Sequence, residues 1–311
     1  MQNKTWLPEL VSPTSGQPLH LREKEQEMIS ADGSESFPVI DGVPQLLPIT
    51  ADKVISQSEA HVKLGTDFDY REHYQKDAEI FDYFLAYEDG ASRHEARRLH
   101  EAIAAQVASS VRNILDVGCG NAWVAGHFCR KGISVTSLDI AQRNPAKALE
   151  TYPFENHTAV VADVYTLPFR PESFDCIIAS EIIEHVADPR LFIQRLVEVL
   201  RPGGQLILTT PFDEKIAYSL CIHCNRPTPQ HAHIHSFTKD SLAQLVRREH
   251  AAELRIKTFS NKALTKLQTH VLLQYLPYPL WKITDNLANM LVNKPARLMM
   301  KVVKKSAVDS Q

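Results

Sequence analysis

The feature that most constrains the fold of this chain is a glycine-containing turn at residues 118–120, which follows a short apolar run at residues 114–117. A run that ends so abruptly is typical of a buried parallel strand that turns tightly into a helix. Gly118 and Gly120 carry no Cβ atom that would keep a ligand away from the main chain, and the first turn of a helix offers unpaired backbone N–H groups. The sequence therefore predicts a ligand site at this corner.

The residues around the turn indicate which ligand it holds. In the dinucleotide fingerprint G-x-G-x-x-G the third glycine lets the helix pack closely on the strand, but Trp123 stands at that position here. Asp116 precedes the turn, where a carboxylate repels phosphate and suits an ammonium group. A second predicted strand, residues 133–138, leads to Asp139, about 20 residues past the turn, where a carboxylate accepts both ribose hydroxyls. An unphosphorylated nucleoside that carries an amino acid suits both acids, and S-adenosylmethionine (SAM) is such a molecule.

Further blocks of sequence extend this pattern in order along the chain. The blocks are residues 115–121, 137–140, 162–169, 174–181 and 200–208. With them the chain resembles the class I SAM-dependent methyltransferases from about residue 113 to about residue 260. The resemblance implies an α/β fold with a Rossmann-like, seven-stranded sheet that is mostly parallel and has an antiparallel last strand. Another Rossmann-like nucleotide binder is the alternative, because that fold is widely reused.

The resemblance also implies which residues bind SAM. In the family, the acid of the Ala-Asp-Val block hydrogen-bonds the adenine amino group and the next backbone N–H meets a ring nitrogen, which assigns those roles to Asp163 and Val164. The alternative is that Asp163 only caps the following turn, a common use of aspartate. The implied cofactor-binding residues are Asp116, Gly118, Cys119, Gly120, Asp139, Ile140, Asp163, Val164 and Ser180.

Composition sets broad bounds on the chain. With 311 residues, 44% of them hydrophobic and 23% charged, it can bury one substantial core plus an appendage. Its net charge of -3 gives no global basic field, so bulk affinity for nucleic acid is not expected. The first residues lack the apolar core of a secretion signal and no apolar run approaches about 18 residues, which favours a cytoplasmic protein. The cysteines are odd in number, which does not favour a disulfide framework.

The N-terminal segment, residues 8–50, consists of short extended pieces separated by turn residues. It resembles the small zinc-ribbon activator subunit of tRNA methyltransferases, but Ser12, Ser15, Ser30 and Gly33 stand where that subunit has its metal-binding cysteines. Serine and glycine do not replace thiolate ligands, so we expect a metal-free ribbon docked on the catalytic domain. It serves either to grip a substrate or as a structural remnant.

The rest of the chain divides into a helical cap and a catalytic domain. In the resembling family, helices before the first strand cover the SAM site, so Tyr70, Arg71 and Tyr74 are candidates to touch the methionine end or the substrate; core packing is the alternative. The expected organisation is a ribbon-like segment (8–50) with a hairpin turn at Asp41 and Gly42, a helical cap (51–112), and a methyltransferase domain (113–305) with insertions at 212–237 and 261–293.

Two groups of residues are candidate metal ligands. Glu181, Glu184 and His185 have the spacing of one helix face and resemble the Glu-x-x-Glu-His run that binds Mg2+ in RNA 2'-O-methyltransferases and some quinone O-methyltransferases. The same run also serves only to pack and cap a helix. The second group, with ligand types suited to zinc, is Cys221, Cys224, His231 and His233, for which free thiols in a loop are the alternative.

Methyl transfer to an alcohol or amine needs alignment and the removal of a proton. The candidate bases are His185, His233 and His235, because histidine titrates nearest to neutral pH. The signatures of adenine, glutamine and cytosine C5 methylation are missing after the fourth strand. The expected acceptor is therefore an O or N atom of a small molecule such as a sugar, a lipid-linked group or a quinone. RNA and a role as a non-catalytic SAM-binding scaffold are the alternatives.

The C-terminal insertion is partly apolar and is interrupted by Pro277 and Pro279, so it does not predict a continuous membrane helix. Residues 264–292 are candidates for a lid, a dimer surface or a peripheral membrane contact, while packing on their own domain is the plainer interpretation. The oligomeric state stays open.

Overall fold

The computed structural model describes residues 10–48, 69–222 and 225–306. The strands are β1 (Leu19–Arg22), β2 (Glu27–Ser30), β3 (Ser36–Ile40), β4 (Val43–Leu46), β5 (Asn113–Val117), β6 (Ser134–Asp139), β7 (His157–Ala162), β8 (Phe174–Ser180), β9 (Leu200–Pro211), β10 (Tyr218–Leu220), β11 (Pro227–Pro229), β12 (Ala251–Asn261) and β13 (Pro295–Lys304). The α-helices are α1 (Tyr70–Ile80), α2 (Gly90–Ala104), α3 (Trp123–Phe128), α4 (Arg143–Thr151), α5 (Pro189–Val199), α6 (Lys239–Ala243), α7 (Lys262–Lys266), α8 (His270–Leu273) and α9 (Tyr278–Leu291).

One large sheet organises these elements, in the order β1-β2-β3-β4-β7-β6-β5-β8-β9-β13-β12. Strands β4 to β9 of that order are parallel, whereas β13 runs antiparallel to both β9 and β12. The seven strands from β7 to β12 therefore confirm the predicted Rossmann-like sheet with an antiparallel last strand.

The parallel strands are apolar on both faces because helices cover both sides of the sheet. Leu115 of β5 faces the cluster that contains Phe192 of α5, and Ile114 faces the cluster that contains Ile103 of α2 and Phe128 of α3. Successive side chains of one strand thus pack into two separate cores, because they point to opposite faces of the sheet.

The N-terminal segment is built into the sheet. Strand β4 pairs in parallel with β7, with Gln45 opposite Val161 and Leu46 opposite Ala162. The expected hairpin joins β3 to β4 through Asp41 and Gly42, whose φ angles are 51° and 77°. Because β4 extends the catalytic sheet, the N-terminal strands share its core and do not merely dock against it.

Hydrogen bonds link the two N-terminal loops, residues 12–15 and 30–33, that stand where the resembling subunit has its metal-binding cysteines. The Ser12 hydroxyl accepts the backbone N–H groups of Thr14 and Ser15, each at 3.1 Å. In the second loop, the Asp32 carboxylate accepts the Ser30 hydroxyl at 2.8 Å, and it also accepts the Gln17 amide of the first loop at 2.9 Å. These bonds hold the pKa of Asp32 well below its usual range, the backbone and side chain of Ser34 contributing most. A carboxylate thus cross-links the loops.

Residues 181–187 form a turn, so the predicted helix that carries Glu181, Glu184 and His185 on one face is wrong. Glu181 has a left-handed φ of 56°, which stops β8 from continuing directly into a helix. Helix α5 begins only at Pro189, where the Asp188 carboxylate accepts the backbone N–H of Leu191 at 2.9 Å. The Asp-Pro pair is a strong helix start, and it outweighs the i, i+3, i+4 spacing upstream.

The two insertions differ in structure. The first contains the β10–β11 hairpin, and the second contains α7, α8 and α9. The second insertion leaves the sheet after Asn261 and returns at Pro295, two residues that face each other across β12 and β13. Arg297, just beyond, pairs with Pro211 at the end of β9, so the insertion lies at the edge where the parallel strands end. Among the described residues, no helix has both the length and the apolar character needed to cross a membrane.

Candidate active site

The carboxyl ends of the parallel strands bring the predicted cofactor residues to one edge of the sheet, the usual ligand edge of open α/β sheets. The turn after β5 is tied to β6, because the Cys119 N–H donates to the Leu138 carbonyl at 2.9 Å. The Gly120 N–H approaches the Asp139 carboxylate at 3.3 Å. The glycine turn and Asp139, the last residue of β6, are therefore joined by hydrogen bonds.

The two glycines of the turn have different surroundings. Both have positive φ angles, 65° at Gly118 and 48° at Gly120, which favour glycine. A Cβ atom on Gly118 would come within 2.2 Å of the Ile182 side chain, whereas a Cβ atom on Gly120 would meet nothing closer than 4.0 Å. Gly120 therefore offers the open main chain that a ligand needs, and Gly118 lets Ile182 pack against the turn.

Two buried acids stand beside the turn. One oxygen of Asp116, a residue that is 3% exposed, has no hydrogen-bond partner among the described residues. Burial, and then the charge of Asp139, raises the pKa of Asp116. The Asp139 carboxylate accepts the Ala141 N–H at 3.0 Å and the Asn144 amide at 3.1 Å. A buried carboxylate with an unpaired oxygen suits a cationic partner, and the ammonium role of Asp116 stays a prediction.

Asp163 is fully buried and both of its carboxylate oxygens have protein partners. One oxygen accepts the Tyr165 N–H at 2.9 Å, which caps the turn after β7. The other accepts the Tyr70 hydroxyl and the Arg71 guanidinium, whose Nη2 lies at 3.0 Å. The turn-capping alternative is therefore realised, and the adenine role of Asp163 and of its half-buried neighbour Val164 stays a prediction.

Helix α1 lies across the same edge of the sheet. Its Tyr70 and Arg71 bind Asp163, and its Tyr74 ring packs edge-to-face on His185 with ring centroids 5.9 Å apart. In the middle of the helix, the Gln75 side chain accepts the Gln142 N–H at 3.1 Å. The helix therefore covers the site, and Tyr70 and Arg71 contact the sheet edge through Asp163.

The remaining predicted cofactor residues occupy less open positions. Cys119 is buried, and burial raises the pKa of its thiol, which makes it a packing residue at the turn. The Ser180 hydroxyl lies 3.2 Å from the Thr209 hydroxyl of the neighbouring strand. Ile140 follows Asp139 and is half-buried.

A cluster of three residues lies beside this edge: Glu184, His185 and His233, hereafter the Glu-His-His cluster. One potential ligand atom from each residue lies within 4.8 Å of the others. Glu184 is 1% exposed, and neither of its carboxylate oxygens has a hydrogen-bond partner among the described residues. Burial, and then the negative charge of Glu181, raises the pKa of Glu184 well above its usual value. An unsatisfied buried carboxylate is costly, so it indicates a ligand or a proton at this place.

The two histidines of the cluster are held by their Nδ1 atoms. His185 Nδ1 lies 3.2 Å from the Ala232 carbonyl, and His233 Nδ1 lies 2.6 Å from the Glu214 carboxylate. A carbonyl and a carboxylate accept, so each Nδ1 donates and Nε2 is the ring nitrogen left to face the cluster. Burial, and then the charge of His233, lowers the pKa of His185 to about 4, so His185 is neutral at pH 7. Sequence reasoning missed Glu214, because no spacing signal connects it to His233.

The structure corrects the predicted magnesium set. Glu181 does not join the cluster, because its carboxylate faces Arg297 of β13, with Oε2 and Nε 3.5 Å apart. His233 takes the third position instead. His235, a predicted base, donates from Nε2 to the Val186 carbonyl at 3.0 Å and so holds the turn that carries Glu184 and His185.

The predicted zinc set is not assembled in the described part of the chain. Cys221 lies at the tip of the β10–β11 hairpin and belongs to no metal-type cluster there, and His231 is exposed. Cys224 lies outside the described residues. Of the three predicted zinc ligands that the structure describes, His233 alone belongs to such a cluster, and its partners are Glu184 and His185.

Comparison with known proteins adds a family and a set of relatives. The family model described as a methyltransferase domain matches residues 89–250. The ubiquinone biosynthesis O-methyltransferase of Xanthomonas campestris pv. campestris (strain B100) is 34% identical over 124 residues, which cover 39% of this chain and 52% of that protein. The mitochondrial ubiquinone biosynthesis O-methyltransferase of Rattus norvegicus is 36% identical over 115 residues, which cover 35% of this chain and 33% of that protein. This chain therefore spans about half the length of the curated relatives, or less.

A solved structure shows the same fold. The PH0226 protein of Pyrococcus horikoshii OT3 superposes with a TM-score of 0.50 at 14% sequence identity, covering 74% of this chain and 99% of that one. At this identity the likeness concerns the fold alone.

Proposed function

The chain belongs to the methyltransferase-domain family of class I SAM-dependent enzymes, and we propose that it transfers the methyl group of SAM to a hydroxyl oxygen of a small, quinone-like acceptor. The observation that carries the proposal is the Glu-His-His cluster beside the glycine turn. Ile182, which packs against Gly118, belongs to the same turn as Glu184 and His185. Groups that handle a proton therefore stand next to the predicted methyl donor.

The acceptor class follows from two kinds of support. A hydroxyl becomes a good nucleophile for an in-line displacement when a nearby group removes its proton, and the cluster offers such groups. Ubiquinone biosynthesis O-methyltransferases are among the relatives, so a phenolic hydroxyl on a quinone-like ring is the acceptor that the comparisons favour. A phenol has a pKa near 10, which a well-placed base or cation can offset.

SAM, the methyl donor, would be held by the glycine turn together with Asp116 and Asp139. The open oxygen of Asp116 suits the ammonium group of SAM, and Asp139 stands where a carboxylate can accept ribose hydroxyls. The Gly120 main chain is open to a ligand. These residues would bind and orient the donor, and alignment is the larger part of catalysis when the sulfonium donor leaves as a neutral thioether.

The proton would move to an imidazole of the cluster. His185 is neutral at pH 7 because burial depresses its pKa to about 4, so its Nε2 is in the accepting form. His233 is the better acceptor, because the Glu214 carboxylate 2.6 Å from its Nδ1 stabilises the imidazolium that forms. Tyr74, packed on His185, helps to keep water from this place.

The cluster also fits a divalent cation. It combines one buried carboxylate that lacks a donor with two imidazoles whose Nδ1 atoms are fixed by acceptors, the arrangement usual around protein metal ligands. A mixed nitrogen and oxygen set suits zinc or a similar ion better than magnesium. A cation held by Glu184, His185 and His233 would lower the pKa of an acceptor hydroxyl. Base catalysis predicts that a chelator leaves the methylation rate unchanged, whereas cation assistance predicts that the chelator lowers it.

The proposal is tested in two steps with the full chain. Calorimetry first measures the binding of SAM, and S-adenosylhomocysteine formation is then followed with catechol and hydroquinone acceptors, with and without a chelator. We expect SAM to bind, a phenolic acceptor to be methylated, and His233→Ala to lower kcat by roughly 100-fold or more while leaving SAM binding unchanged.

The matched control is His231→Ala, which removes an exposed neighbouring imidazole and should keep full activity. Failure to bind SAM would overturn the proposal. So would an experiment with labelled SAM and a cell extract in which the label enters the RNA of the extract and none enters its phenolic compounds. Full activity of His185→Ala and His233→Ala alike would exclude both imidazoles as the base.

A further inference from the structure

The C-terminal insertion carries an apolar surface that faces away from the protein. Helix α9 packs inward through Trp281 and Asp285, which are 4% and 1% exposed. On the opposite side lies the outer face of α9, a stripe of large apolar side chains that are each between 51% and 85% exposed. The outer face consists of Leu280, Ile283, Leu287, Met290 and Leu291.

The spacing of these residues makes the outer face a continuous stripe. At 100° per residue they fall within an arc of roughly 100° on the side opposite Trp281. A helix that is apolar on both sides is normally covered on both sides. Helix α8 and the turns on either side of it add further exposed apolar side chains: Leu267, Val271, Leu272 and Tyr275.

The charges of the same segment indicate what covers it. Residues 262–294 contain four lysines, at positions 262, 266, 282 and 294, and all four are exposed. Their single acid, Asp285, is buried and accepts the backbone N–H groups of Ser260 and Asn261 at 2.9 and 2.7 Å. The segment therefore presents only positive side-chain charges around an apolar stripe, on a chain whose net charge is -3.

We propose that the outer face of α9 docks this protein on the surface of an anionic lipid bilayer, with Lys266 and Lys294 contacting the headgroups. Lys282 lies on the flank of α9 nearer to Lys257 of β12, so it is not part of this contact. A helix with an apolar stripe and a lysine border lies in the membrane interface, where burial of apolar area and attraction to anionic lipid add together. A second copy of this chain is the less suitable occupant, because pairing two such faces would bring like charges together.

The position of the insertion gives the docking a consequence. Asn261 and Pro295, which flank the insertion, lie at the sheet edge where β9 ends. Arg297, two residues beyond, faces Glu181 at the start of the turn that carries the Glu-His-His cluster. A bilayer bound to the outer face would therefore adjoin the edge of the sheet that carries the candidate active site. The docking itself does not depend on the proposed methyl transfer.

The experiment is co-sedimentation of the full chain with vesicles of phosphatidylcholine alone or with about one third phosphatidylglycerol. We expect the unmodified protein to bind the anionic vesicles, and the triple variant Leu280→Gln, Ile283→Gln, Leu287→Gln to bind at least roughly tenfold more weakly. The variant Lys266→Gln, Lys294→Gln should lose the preference for anionic lipid and the sensitivity to added salt.

A matched control is Leu21→Gln with Ile40→Gln, which changes two exposed apolar residues of the N-terminal strands and should leave vesicle binding unchanged. Circular dichroism and thermal unfolding confirm that each variant is folded. The proposal is overturned if the unmodified protein ignores both kinds of vesicle, or if the α9 variant binds as well as the control. A dimer that the α9 variant dissociates, with no vesicle binding, would instead assign the face to a second copy.

Discussion

At the scale of single residues, the buried acids of the site differ in how far the protein supplies hydrogen-bond donors to their oxygens. Asp139 and Asp163 are buried acids whose oxygens are met by donors of the protein. Glu184 is equally buried, but neither of its carboxylate oxygens has a partner at hydrogen-bond geometry among the described residues. The Thr210 hydroxyl and the backbone N–H of Glu184 lie near enough to offset only part of the rise in its pKa. A native protein retains an unsatisfied buried carboxylate when function requires it, because stability alone would remove it.

This contrast predicts that Glu184→Gln stabilises the metal-free protein and lowers its activity. The pKa of Glu184 is raised, so the folded state holds its proton at pH values where the unfolded chain has lost it, and wild-type stability falls as the pH rises above about 4.5. Glutamine removes that loss. We expect the variant to gain about 1 kcal/mol or more at pH 8, roughly 2–4 °C in Tm, with the gain shrinking towards pH 5.

Thermal unfolding in the presence of a chelator, at several pH values, measures the gain. An unchanged or lower Tm at pH 8 in the chelator would contradict the assignment of Glu184 as a destabilising group. If added zinc raises the Tm of the wild type but not that of the variant, Glu184 instead holds a bound cation.

At the scale of elements, helix α1 is fastened to the sheet by polar contacts near its first turn. The ion pair between Arg71 and Asp163 joins the helix to the end of β7, and the Tyr70 hydroxyl donates to the same carboxylate. The opposite end is attached by Arg143, which donates to the Ala78 carbonyl at 2.9 Å. The cover over the site thus depends on a few specific contacts.

We therefore predict that Arg71→Ala loosens α1. It leaves the fully buried Asp163 without its cationic partner, which costs about 3 kcal/mol, and it should weaken SAM binding several-fold by releasing the cover. Chemical denaturation and calorimetry give the two values. The control Lys76→Ala breaks an exposed pair with Glu72 on the same helix, 2.5 Å long, and should leave both values unchanged. If the two variants behave alike, Arg71 does not hold the helix.

At the scale of the whole molecule, the N-terminal strands and the catalytic sheet form one structure. Leu46 of β4 is fully buried and belongs to the same core as Leu115 of β5 and Ile177 of β8. A segment joined through its main chain and its core should unfold together with the rest.

Leu46→Ala tests this unity. The cavity should cost about 2–5 kcal/mol, and the cost should appear as a shift of a single unfolding transition, seen alike by far-UV circular dichroism and by hydrogen exchange in β5. Leu21→Ala, at an exposed position of β1, is the control and should shift the transition little. A separate early transition confined to residues 10–48 would show that the N-terminal strands are an independent appendage.

The strand and the glycine turn at residues 114–120 could be predicted from the sequence. The apolar run before Gly118 and the turn itself are local signals, because strand burial and positive φ angles depend on a few adjacent residues. For the same reason the hairpin at Asp41 and Gly42 could be predicted, whereas the antiparallel last strand was expected only from the resemblance to a known family.

Only the tertiary structure decided which residues form the candidate catalytic cluster. Glu181 shares a motif with Glu184 but is drawn to Arg297 of a distant strand, while His233 and its partner Glu214 reach the site from an insertion. The fusion of β4 to β7 and the outward apolar face of α9 likewise depend on pairing and packing between segments far apart in the chain. Residue spacing predicts which side chains are neighbours only within one helix or strand. Residues 181–187 form a turn, so the neighbours of Glu181 and Glu184 depend on contacts with distant segments of the chain.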